Sequence, residues 1–93
     1  MLHQLFEIIT DRKAKPTPSS YTASLFSAGE DRICQKVGEE AVEVILAAKG
    51  QGKARLIEET ADLFYHILVL LASQDLTLAE VETELHRRHP VSK

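Results

Sequence analysis

A chain of 93 residues has room for one domain, and with 44% hydrophobic residues it is too apolar to be disordered. Its formal net charge of −3 argues against general binding of nucleic acid or of a membrane surface. A single cysteine, Cys34, excludes an internal disulfide framework, fits a reducing compartment and reads as a small buried hydrophobe.

The first residues, MLHQLFEIITDRK, mix acids into an apolar run and lack a small-residue cleavage site, so no signal peptide is expected. The longest apolar run, Leu63 to Ala72, is interrupted by His66 and falls short of the roughly 20 residues a bilayer demands. A soluble, cytoplasmic protein is the expectation.

Leu2, Leu5, Phe6 and Ile9 recur at helical spacing and predict a first helix to about Lys13. Lys15 to Ser20, with two prolines and two serines, breaks it. Ser19 or Ser20 can cap a short second helix, Tyr21 to Ala28, which Gly29 stops. A long helix then runs from Glu30 to about Lys49 and ends at Gly50-Gln51-Gly52. The next covers Lys53 to about Ser73, and Thr77 with Glu80 forms a capping box that opens a last helix to about Arg88. No segment alternates with period two for long enough to make a strand. The expected fold is all-α, a single domain over 1–93: an antiparallel bundle of four to five helices. So short a chain buries only roughly 60% of its unfolded surface, and dimerisation is the expected remedy.

Along the third helix Val37, Ala41, Val42, Val44, Ile45, Leu46 and Ala48 cover a wide arc, which predicts a mostly buried helix. The remaining narrow stripe holds Lys36, Glu39, Glu40 and Glu43. The fourth helix repeats the pattern: Glu58, Glu59, Asp62 and His66 line one stripe, with Arg55 a turn earlier and apolar residues around them. A solvated charge face normally places a base four residues after each acid. Here those positions hold Glu43, Val44 and Ala47 in one helix, and Asp62, Leu63 and His66 in the other. Something cationic is therefore expected between the two stripes, which a Gly-x-Gly link can bring together. Carboxylates without thiols select a hard cation. Glu40 and Glu43 (ExxE) with Glu59 and Asp62 (ExxD) would make a four-carboxylate site. Magnesium, which keeps waters and takes substrate phosphates, suits it better than a calcium cage. A solvated acidic face is the plain alternative. A di-iron bundle is disfavoured because its Glu-x-x-His motifs are absent.

The runs Lys36-Val37-Gly38-Glu39-Glu40-Ala41-Val42-Glu43 and Glu58-Glu59-Thr60-Ala61-Asp62-Leu63-Phe64-Tyr65-His66 resemble the EExxE…ExxD pattern of the all-helical, MazG-like nucleotide pyrophosphohydrolases. With Ser20-Tyr21-Thr22-Ala23, Leu25 and Gly29 added, nearly the whole chain resembles the phosphoribosyl-ATP pyrophosphohydrolases of histidine biosynthesis. That resemblance implies Mg2+-dependent hydrolysis of phosphoribosyl-ATP to phosphoribosyl-AMP and pyrophosphate, by a homodimer with sites between helices. Some relatives are fused to a zinc cyclohydrolase, for which 93 residues leave no room, so that step is expected on another chain.

On this reading Glu40, Glu43, Glu59 and Asp62 hold the metal, and Glu39 is a further acid that takes a proton or supports a ligand. Lys36, on the same stripe, is a phosphate-binding candidate or a simple partner of Glu40. Arg12 and Lys13, the densest basic cluster with Lys15, suit a polyanionic substrate or merely complement a helix end. Ser20, Tyr21 and Thr22 offer hydroxyls for ribose or phosphate, or only a cap. His66 can orient a ligand or sit satisfied in the core. Tyr65 and Phe64 read as core or dimer interface. Two other functions compete: a house-cleaning hydrolase of free or damaged deoxynucleotides, sharing every metal ligand, and a non-catalytic acidic module that binds a basic partner.

Overall fold

Among the described residues, 1–91, the computed structural model has five helices and no strand. They are α1 (Leu2–Ala14), α2 (Tyr21–Ala28), α3 (Glu30–Gly50), α4 (Lys53–Ser73) and α5 (Leu78–Arg88). Of the 1–93 range, Ser92 and Lys93 lie outside the described residues.

Local chemistry sets each boundary. Ser20 accepts the Ala23 N–H at 3.1 Å and opens α2. Gly29, at φ 102°, closes α2 and turns the chain into α3, whose first turn carries Glu30 and Asp31 against the helix dipole. Gly52, at φ 89°, does the same between α3 and α4, a conformation that costs glycine nothing. After α4 the chain reverses through Asp75 at φ 59°, a left-handed position that aspartate tolerates better than most residues. Lys13 on α1 secures this corner: its Nζ donates to the Ala72 carbonyl at 2.8 Å and to Asp75 at 2.9 Å. The Thr77–Glu80 capping box then opens α5, both reciprocal bonds measuring 3.1 Å.

The core joins Ile9 of α1, Leu25 of α2, Ile33 of α3, Leu68, Val69 and Ala72 of α4 and Leu78 of α5. Five helices thus share one small nucleus, and α3 and α4, folded back on each other across the glycine link, make its largest interface. No helix among the described residues is long and apolar enough to cross a membrane.

Two expectations need correction. Helix α3 is not mostly buried: only Ile33, Glu40 and Ala47 are, while Val42, Leu46 and Ile45 (60% exposed) face outward. The reason is that α3 packs chiefly against α4 and, less extensively, against α2. On α4, Phe64 and Ile57 (70% exposed) also face solvent. Cys34, likewise, is exposed rather than buried, because it lies off the side of α3 that Ile33 turns to the core.

Candidate active site

Glu59 and Asp62 stand three residues apart on α4 and so share a face; across the hairpin, α3 presents Glu40 to them. One carboxylate oxygen from each of the three lies within 4.8 Å of the others. Glu40 and Glu59 are buried, at 6% and 7% exposure, and Asp62 opens the trio to solvent. Gathering this much negative charge in a half-dry cleft is costly without cations.

Two bases offset part of that cost. Lys36 Nζ lies 3.2 Å from Glu40 and 3.6 Å from Glu39. Arg55 pairs with Glu58 at 2.8 Å and also grips Glu59. Both bases precede their acid by four residues, so a search of the positions that follow each acid misses them. This base-first order is the weaker one for an isolated helix, so the helix itself does not account for the choice. Around the Lys36 ammonium, burial acts to lower the pKa. The hydrogen bond to Glu40 and the negative charge of Glu40 and Glu39 outweigh it, with the Tyr21 phenol adding to the rise only in the alkaline range where lysine titrates, and the pKa ends above its ordinary value.

The offset is incomplete. Glu40 Oε2 is buried and accepts no hydrogen bond, and it alone among the described side chains is so placed. A buried carboxylate oxygen without a partner, beside two more carboxylates and no thiol, fits a hard divalent cation. Glu43 lies one turn beyond Glu40 on α3, half-buried and outside the trio, and Glu39 is exposed at its edge.

The first turn of α2 abuts this cleft. The Tyr21 hydroxyl meets His66 Nε2 at 3.2 Å, and His66 Nδ1 lies 2.8 Å from the Asp62 carbonyl oxygen. A carbonyl only accepts, so Nδ1 carries the proton, Nε2 accepts, and Tyr21 donates. His66 therefore reaches Asp62 through the backbone; the Asp62 carboxylate stands 3.9 Å from Nδ1. Beside it, Thr22 and Tyr65 join hydroxyl to hydroxyl, and the Tyr21 and Tyr65 rings stack with centroids 6.3 Å apart. Burial raises the Tyr65 phenol pKa, with Tyr21 and Asp62 adding to the rise against the Thr22 hydrogen bond. Tyr65 is the polar contributor that sequence reading passed over. Its signal was the i+3 spacing from Asp62, hidden inside an apolar run.

The remaining candidates lie elsewhere. Ser20 Oγ is spent on capping α2. Lys13 is committed to the C-terminal end of α4, where Ala72 is about 15 Å along the helix from Asp62. Arg12 pairs with its neighbour Asp11 at 2.9 Å.

Comparison with known proteins gives this geometry a setting. The phosphoribosyl-ATP pyrophosphohydrolase family model matches residues 2–89, which take in all five helices and the whole carboxylate cleft. The phosphoribosyl-ATP pyrophosphatase of Geobacter sulfurreducens is 51% identical over 92 residues, 99% of this chain and 85% of that protein. That of Limosilactobacillus fermentum is 51% identical over 87 residues, 94% of this chain and 82% of that protein. The histidine biosynthesis bifunctional protein HisIE of Photobacterium profundum is 53% identical over 88 residues, 95% of this chain. The chain spans only 42% of that bifunctional relative's length. A family model that runs through every helix, and relatives about half identical along almost the full length, leave one assignment: the chain belongs to the phosphoribosyl-ATP pyrophosphohydrolase family.

Proposed function

We infer that this chain is a hydrolase that converts phosphoribosyl-ATP to phosphoribosyl-AMP and pyrophosphate, the second step of histidine biosynthesis, using magnesium. Membership of the family and the names of its half-identical relatives support the reaction. One observation carries the site: the buried, unpartnered Glu40 Oε2 within a trio completed by Glu59 and Asp62.

Glu40, Glu59 and Asp62 are assigned as the metal-holding residues, with Glu43 one turn away joining them. Bound there, magnesium supplies charge neutralisation for phosphate oxygens and makes water more acidic. The reaction consumes one water, forms one P–O bond and breaks one phosphoanhydride P–O bond. Glu39, exposed at the edge of the cleft, is assigned as acceptor of the water's proton. Lys36 binds phosphate from the same stripe. Tyr21 and Thr22, already at the mouth of the cleft through His66 and Tyr65, bind ribose or phosphate, while Ser20 shapes the segment by capping it. His66 keeps the Asp62 turn in place. Arg12 and Lys13, engaged with Asp11 and with the α4 terminus, are left out of this assignment.

The unit proposed is one domain, residues 1–93, that works as a homodimer in the cytoplasm, the compartment suggested by the pathway in its relatives' names. The apolar face of Val42, Ile45, Leu46, Ile57 and Phe64 supports the dimer, since so small a chain gains from covering it. The test is pyrophosphate release from phosphoribosyl-ATP, with ATP and deoxynucleoside triphosphates in parallel, each with magnesium or a chelator. Release from phosphoribosyl-ATP alone, abolished by the chelator, is the expected result. Release only from free nucleotides would replace the substrate and keep the chemistry.

A further inference from the structure

We propose that Arg55, tethered to the exposed Glu58, is a phosphate-binding residue of this site, and that the edge it holds on Glu59 would turn to the substrate's phosphate chain if a divalent cation took that carboxylate. The proposal rests on the reading of Glu40, Glu59 and Asp62 as the metal-holding residues.

The geometry that points to it begins with the fork of Arg55. Nη1 donates to Glu58 at 2.8 Å and Nη2 to Glu59. A guanidinium has five N–H donors, so these two bonds leave others free, and the side chain is 48% exposed. The two partners differ. Glu59 is buried in the trio, whereas the Glu58 side chain is 61% exposed and outside it. A cation bound at Glu59 competes with Arg55 for that carboxylate but leaves the bond to Glu58 intact. Arg55 then stays tethered beside the cleft with its inner edge released, and that edge suits the paired oxygens of a phosphate.

Lys36 repeats the arrangement on α3. It holds the buried Glu40 with one contact and the exposed Glu39 with the other. Because α3 and α4 run in opposite directions, the two bases bracket the trio. Arg55 stands toward the Gly52 link and Lys36 away from it, each about 6 Å along its helix from the acid it holds. A polyphosphate lying over the carboxylates would meet one cation at either end.

Three proteins distinguish this from a purely structural ion pair: the wild type, Arg55→Gln and Arg55→Lys. Mn2+ affinity is read by electron paramagnetic resonance, and the affinity for inorganic pyrophosphate in saturating Mg2+ by calorimetry. The proposal expects Arg55→Gln to bind Mn2+ as tightly as the wild type or roughly two- to five-fold tighter, since a competitor is gone. Its pyrophosphate affinity should fall roughly ten- to a hundred-fold, and Arg55→Lys should recover part of that loss. Wild-type pyrophosphate affinity in Arg55→Gln would overturn the proposal, as would a loss of Mn2+ affinity in that variant. Failure of the metal reading looks different: wild type and Glu59→Gln would bind Mn2+ equally.

Discussion

At the scale of single residues, the decisive atom is Glu40 Oε2. A carboxylate oxygen that is buried and unbonded destabilises a fold unless something else gains from it. The proposed partner is a divalent cation, which suits three converging carboxylates with no thiol. Magnesium should therefore stabilise the folded protein by mass action, about 2.7 kcal/mol at a hundred times its Kd. For a domain of this size that is a rise in Tm on the order of 10–20 °C. In Glu40→Gln the rise should vanish while the helical circular dichroism persists. A wild-type Tm that ignores magnesium would contradict the cation assignment. The convergence of Glu40, Glu59 and Asp62 was legible in the sequence because spacing on helices is fixed by geometry, whereas Glu43, expected with them, lies outside the trio. Their bases were less so: Lys36 and Arg55 stood in view, but four positions before the acids rather than after them.

At the scale of elements, the helix boundaries follow from capping chemistry and were legible nearly to the residue. Ser20, Gly29, Gly52 and Thr77 each mark an end by a mechanism that acts within a few residues. Such local features carry their own signals. Thr77→Ala should cost about 1 kcal/mol, measured by urea denaturation, because it removes one side of the capping box. Gly52→Ala should cost about 1–2 kcal/mol, since its φ of 89° strains any L side chain even though the space around it is open. Helix α5 carries a pH-dependent element as well. Hydrogen bonds from Arg87 and Arg88 hold the Glu84 carboxyl below its ordinary pKa. Because the folded pKa is depressed, this contribution is present above the usual carboxylate pKa and is lost as pH falls through the folded value. The last turn of α5 should thus fray in acid, seen as faster amide exchange there, and Glu84→Gln should fray already at neutral pH. The placement of α1 was the part least legible locally. Lys13 finds Ala72 and Asp75 across 59 and 62 residues of chain, and no periodicity reports such a contact.

At the scale of the whole molecule, the outward face of α3 and α4 is the main departure from expectation. The apolar arc of α3 predicts burial, and hydrophobic periodicity cannot say whether the cover comes from the same chain or from another. Val42, Ile45, Leu46, Ile57 and Phe64 are left uncovered by a single chain. Light scattering should find a particle of twice the 10.4 kDa chain mass, and Ile45→Glu combined with Ile57→Glu should shift it to the single-chain mass. A wild-type particle already at the single-chain mass would contradict the homodimer. The substrate, by contrast, was legible only through the resemblance carried by Ser20-Tyr21-Thr22-Ala23 with the two acidic runs. Physical reading of the carboxylates alone reaches a hard cation and phosphate chemistry and no further.

The most direct measurement is the anomalous scattering of manganese in crystals of enzyme that turns over phosphoribosyl-ATP. A peak at coordination distance from Glu40, Glu59 and Asp62, lost in Glu59→Gln, is the expected result. A manganese peak elsewhere in the same crystals, with none between α3 and α4, would contradict the assignment of this cleft as the active site.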